Sequence, residues 1–212
     1  MPHNPFAELE QLIKNDSDLR EELVKKDELF SGYHPEMEAL HTANGKRLQQ
    51  LIAEYGWPMA QKYGEEIENA AWMITMHAIS LPSLQRNVLA LLKQDGDRYP
   101  AAQSAMLEDR ILVFSGKKQI FGSQMDWDEN GILNPFPIEE SDKCHTRRKQ
   151  AGLEPLAEAI KRLRNRAESE HEHPPHDLTK HTELRESWML RTGWISDPSE
   201  IDPAYDRYRI TR

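Results

Sequence analysis

At 212 residues the chain suits one domain with extensions, or two small ones, and can bury a core without covalent staples. A formal net charge of -9, with 38% hydrophobic and 30% charged residues, speaks against general nucleic-acid binding, which needs local positive charge. The single cysteine, Cys144, excludes an intrachain disulfide framework, and no apolar run approaches the length needed to cross a bilayer.

The start, Met1-Pro2-His3-Asn4-Pro5, lacks the basic and apolar parts of a signal peptide, so a cytoplasmic location is expected. Asn4 followed by Pro5 predicts a helix start, with Phe6, Leu9, Leu12 and Ile13 as its apolar positions. Ser17 is expected to open a second short helix that closes near Phe30, before Ser31-Gly32. Pro35 opens a longer helix with Met37, Leu40, Leu48, Leu51 and Ile52 on one stripe, ended by Gly56-Trp57-Pro58. Gly45 interrupts that helix without ending it. Three more helices follow: Gly64 to Ile79, Pro82 to Asp95-Gly96-Asp97, and Pro100 to Ser115-Gly116.

The period then changes. Lys118 to Met125 and Gly131 to Leu133 flank Asn130-Gly131, which predicts one small hairpin. Helix resumes from Ser141, breaks at Gly152 and runs from Pro155 to about Glu168. The remainder is rich in Glu, His and Pro, then in aromatics: Trp188, Trp194, Tyr205 and Tyr208, with Ile195 and Ile210 beside them. These are expected to pack on the chain's own core or to join two copies as a homo-oligomer. The fold class expected is mainly α, a compact antiparallel helical array with one small hairpin. Residues 1–168 are read as a single helical domain and 169–212 as a C-terminal extension.

Polar residues on apolar stripes are the candidates for function. His77 shares a face with Ile74 and Ala70, and Asp109 with Ala105, Met106, Leu112 and Val113. Gln85 lies beside Val88 and Leu92. A buried carboxylate needs a partner, for which His77 and Arg110 are the candidates, and pairing Asp109 with His77 leaves one imidazole nitrogen free for acid–base work. A satisfied core histidine and a helix-bridging aspartate are the plainer alternative. His171, His173, His176 and His181 cluster, but across Pro174-Pro175 and without a helical ligand pair apart from a possible Asp177-His181, so no metal site and no cofactor are expected. Cys144 has basic neighbours His145, Arg147 and Arg148, which favour thiolate, yet a lone cysteine so placed is not taken as a nucleophile. The basic run from Lys143 to Arg166 reads as a solvated helix face before it reads as an anion patch.

Several segments in order resemble an uncharacterised bacterial family, a domain of unknown function. They are Gly56-Trp57-Pro58, Trp72 to His77-Ala78, Asp109-Arg110, Gln119 to Gln124, and Arg147-Arg148 with Gly152-Leu153; the resemblance spans about residues 45 to 156. The chain has Met76 where the family commonly has glutamine, and Phe121-Gly122-Ser123-Gln124 where it has Tyr-Gly-Thr-Gln. The resemblance implies a shared polar site of His77, Asp109, Arg110, Gln119, Gln124 and Arg147 or Arg148, and implies no activity. Two functions are then expected. One is an enzyme with His77 as acid or base, Asp109 orienting it, and arginines and glutamines holding a small anionic or amide-bearing substrate. The other is a peptide- or metabolite-binding module in which the same network is structural. An open pocket favours the first, a closed network the second.

Overall fold

The computed structural model describes residues 4–30, 32–94 and 99–208. Nine α-helices and one antiparallel two-stranded hairpin lie among them, so the chain is mainly α. The chain divides into two compact units, Met1–Leu91 and Leu92–Arg212. None of these helices is long and apolar enough to cross a membrane.

The first unit is built on α1 (Leu9–Lys25), α2 (Pro35–Tyr55), a single turn α3 (Ala60–Tyr63) and α4 (Glu65–His77), with the start of α5 (Pro82–Gln94). The helices α1, α2 and α4 pack on one another in all three pairings. Leu9 and Leu23 from α1, Leu48 and Leu51 from α2, and Ile67, Ala71 and Ile74 from α4 are buried. Asn4 accepts the Phe6 amide in a turn that precedes α1 by several residues. The second short helix expected from Ser17 is absent: α1 runs unbroken through it to Lys25, because Leu9, Leu12 and Leu23 continue one stripe and Ser17 faces solvent. The caps of α2 are as its sequence dictates. His34 accepts the Glu36 amide, Pro35 opens the helix, and Gly56 closes it at φ 77. Gly45 is a packing residue in mid-helix. A Cβ there would stand 2.6 Å from Ala78 Cβ and 2.8 Å from Leu81 Cδ1. Gly45→Val is expected to destabilise the protein by about 1–3 kcal/mol through overpacking, read as a lower urea midpoint with an unchanged slope.

The second unit contains α6 (Ala101–Phe114), β1 (Met125–Trp127), β2 (Leu133–Pro135), α7 (Cys144–Gln150), α8 (Leu156–Ser169) and α9 (Leu178–Thr192). In the hairpin Met125 faces Pro135 and Trp127 faces Leu133. The first strand starts later than the sequence suggests, since residues 119–124 form a loop described below. Asp128 makes the turn, accepting the amides of Asn130 and Ile132 and the side chain of Asn134. The expected helix stop at Asp95-Gly96-Asp97, and Ser31 and Ile210, lie outside the described residues.

The C-terminal part is more ordered than its composition suggests. Asp177 caps α9 by accepting the Lys180 amide. Trp188 and Trp194 pack on Phe114, and Tyr205 and Tyr208 on Phe136, so these aromatics are buried within their own unit. Asp126 of β1 ties α9 to the hairpin through Arg185 (2.9 Å) and His181 (3.1 Å). Burial pushes the Asp126 carboxyl up, but the His181 hydrogen bond and the Arg185 charge outweigh it, and the carboxyl lies below its usual range. A depressed carboxyl contributes stability above the unfolded-state pKa and loses it as pH falls further. Asp126→Asn should therefore be less stable than wild type at neutral pH, and the two melting curves should converge as pH falls below about 4.

The candidate functional site

Asp109 sits in a polar network that holds a loop. Asp109 is fully buried on α6 and accepts the amides of Ile120 (2.7 Å), Phe121 (3.0 Å) and Ser123 (2.8 Å). Burial pushes its carboxyl up; the three amides pull it back, and the net shift is upward. Gln119, also fully buried, donates to the carbonyls of Gln124 and Phe136 and accepts the Gln124 amide, each at 2.9 Å. Arg148 donates to the Phe121 carbonyl at 2.7 Å and the Glu154 carbonyl at 2.8 Å. Arg110 holds the Gln124 side chain at 3.0 Å, and Arg147 bonds Glu139 and Glu140. The loop turns at Gly122 (φ 69), where a Cβ would meet Ile138 at 2.8 Å and Leu156 at 3.0 Å.

Two further expectations from this region are resolved. Of the basic run, Arg162 pairs with Glu154, Arg164 bonds the Leu133 carbonyl and Asn134, and Arg166 pairs with Glu170. The Cys144 thiol is not activated by its basic neighbours: burial pushes its pKa up, and its Sγ faces the Phe121 carbonyl at 3.5 Å.

His77 does not pair with Asp109. The two belong to different units, and the partner of His77 is Asp16 of α1, with Nδ1 2.6 Å from Oδ2. The same oxygen lies 3.1 Å from Nε2 of His41 on α2. His41 Nδ1 meets the Tyr33 hydroxyl at 2.8 Å, and the His41 and His77 rings lie 5.0 Å apart, centroid to centroid. Three helices thus deliver one carboxylate and two imidazoles to one point. Asp16 is 3% exposed and His41 8%. Burial pushes the Asp16 carboxyl up, yet the His41 and His77 imidazoles beside it hold it well below the usual carboxylate range. His77 is more open, with a third of its side chain exposed, and its Nε2 makes no hydrogen bond among the described residues.

The cluster forms one wall of a cavity of about 200 Å³. Leu29, Met37 and Tyr33 supply apolar surface there, and Arg20 and His34 supply polar groups. One ligand atom from each of Asp16, His41 and His77 lies within 4.8 Å of the others, a spacing that can hold a metal ion. The end of α4 that carries His77 is fixed from below. Fully buried Gln85 donates to the Thr75 carbonyl at 2.9 Å.

A model of a family of unknown function, DUF6624, matches residues 7–169. The chain belongs to DUF6624. The matched span contains the Asp16–His41–His77 cluster and the Asp109 loop network, and ends before α9. Comparison with curated proteins and with solved structures finds no match. No activity therefore comes to this DUF6624 chain from a relative, and its chemistry is argued from the residues themselves.

Of the three residues in the cluster, only His77 is among the candidates that the sequence singles out. Asp16 and His41 also stand on apolar stripes, seven residues after Leu9 and four after Met37. That signal was available for both.

Proposed function

We propose that this protein is an enzyme whose reactive centre is the Asp16–His41–His77 cluster, acting on a small anionic or amide-bearing substrate in the adjoining cavity. One observation carries the reading. A buried carboxylate is hydrogen-bonded to one imidazole and lies 3.1 Å from a second beside an open cavity, and the more exposed imidazole keeps one nitrogen without a partner among the described residues. A carboxylate that fixes one nitrogen of a histidine sets its tautomer and orientation, which suits the cluster to take a proton from a bound group. Arg20 is the anion contact in this reading. A guanidinium has five N–H donors and can hold an anion beside its existing partners. Leu29 and Met37 take the apolar part of the substrate. Asp109, Arg110, Gln119, Gln124 and Arg148 hold the loop of residues 119–124, Arg147 bonds Glu139 and Glu140, and none of them touches substrate in this reading.

A thermal-shift screen of small carboxylates, phosphates and amides against the full chain tests the reading. Stabilising ligands are expected for the wild type and are expected to be lost in His77→Gln, whose own melting temperature stays close to wild type. Ligands that stabilise both proteins equally would overturn it. A peptide- or metabolite-binding module built on the loop network would then take its place.

A further inference from the structure

From the three converging side chains we infer that the centre binds a divalent transition-metal ion, with Asp16 Oδ2, His41 Nε2 and His77 Nδ1 as its protein ligands. The inference rests on this cluster being the reactive centre, and it names what the cluster holds: a metal cation in place of a proton shared among the three groups. Two imidazoles and one carboxylate, with further positions left open, are a donor set used by catalytic zinc and by non-haem iron.

The decisive atom is Nε2 of His41. It is buried and has no hydrogen-bond partner among the described residues, although Asp16 Oδ2 lies only 3.1 Å away. A nitrogen at that distance but out of line with the oxygen is what a metal site produces. Ligand atoms aim at a common point between them, not at one another. With metal–ligand bonds of about 2.0–2.2 Å, tetrahedral donors stand roughly 3.3 Å apart. The Asp16–His41 gap already meets this. The Asp16–His77 gap of 2.6 Å must open slightly, and the remaining gap is no more than 4.8 Å.

The outer contacts agree. Metal-bound histidines almost always donate their other N–H to a fixed partner. His41 has that partner in the Tyr33 hydroxyl, 2.8 Å from Nδ1. The ligands come from three helices that pack on one another, so their backbone positions are set by the core of the unit. The cavity lies on the same side as Asp16, His41 and His77, leaving room for water or substrate at the open positions. A cation there would lower the pKa of a bound water, whose proton would leave to solvent.

The test is metal binding by the full chain. Protein stripped with a chelator and dialysed is titrated with Zn²⁺ by calorimetry and with Co²⁺ by visible absorption. One equivalent is expected, with cobalt bands of a nitrogen–oxygen site. His41→Gln and His77→Gln are each expected to weaken binding about 100-fold or more, and Tyr33→Phe about 10–100-fold, as loss of an outer partner does. His77→Gln keeps the test valid if His41→Gln fails to fold, because His77 is the more exposed of the two. A protein with His171→Gln, His173→Gln and His176→Gln should bind as the wild type does. No binding to the stripped wild type would overturn the inference, as would binding indifferent to His77→Gln or lost with the three C-terminal histidines. If small ligands still bind in a His77-dependent way to chelator-treated protein, the metal is wrong and the reactive centre stands. If neither metal nor ligand depends on His77, both fall.

Discussion

Replacing Asp109 with alanine should cost about 3–5 kcal/mol, the largest loss of stability expected from any single polar substitution in this chain. The change orphans the amides of Ile120, Phe121 and Ser123 together. A buried donor left without its acceptor costs roughly 1–3 kcal/mol, and partial access of water to the opened site recovers some of that. For a chain of this size the loss corresponds to a fall in melting temperature of about 6–20 °C. Asp109→Asn keeps one acceptor oxygen but turns an N–H₂ toward an amide, so an intermediate loss is expected. In both proteins, any metal or ligand bound at Asp16–His41–His77 should still bind once the protein is folded. Normal stability combined with lost binding would return Asp109 to the reactive centre.

The second large effect is functional. Asp16→Asn should abolish binding of metal and of small ligands, because it removes the one negative charge facing two imidazoles and leaves a poor metal ligand. Its stability should fall by only about 1–3 kcal/mol, the range for a hydrogen bond to a charged group. The asparagine oxygen can still accept from one histidine, and the α1 stripe of Leu9 and Leu23 is untouched. Calorimetric titration and a denaturant melt on the same preparation separate the two quantities. Binding within a few-fold of wild type would remove Asp16 from the site.

The helices were legible where hydrophobic period and punctuation agreed. Pro35, Pro82 and Pro100 each stand at or next to the first residue of a helix, and Gly56 and Gly116 stand just past the ends of two. The errors came where a local signal was allowed to override the period. Ser17 looked like a cap, and breaking α1 there placed Asp16 at a helix end, where a carboxylate attracts no notice. Read as one helix from Leu9 to Lys25, the stripe Leu9, Asp16, Leu23 sets Asp16 among buried leucines at seven-residue steps. His41 is inconspicuous for a similar reason. The stripe from Met37 to Leu48 was counted by its apolar members, and the gap between them holds His41, Asn44 and Gly45, all buried.

The pairing of His77 with Asp109 failed for a different reason. A helical stripe tells which residues turn inward, but not which neighbour they meet. Both residues do turn inward. Asp109 meets backbone amides of a loop only 11 to 14 residues further on, and His77 meets an aspartate 61 residues earlier. The α9 helix was hidden by composition. The His- and Pro-rich stretch before it ends at Asp177, a cap followed by Leu178, Thr182 and Met189 on the buried face.

Where a small ligand sits decides between the two networks, and amide shift mapping reads this directly. A fragment set of small carboxylates, phosphates and amides is added to ¹⁵N-labelled full-length protein. The account predicts shifts clustered at residues 16–20, 33–41 and 77, around Asp16, Tyr33, His41 and His77. Shifts clustered instead at residues 119–124 and 147–148 would contradict it and place the functional centre on the Asp109 loop.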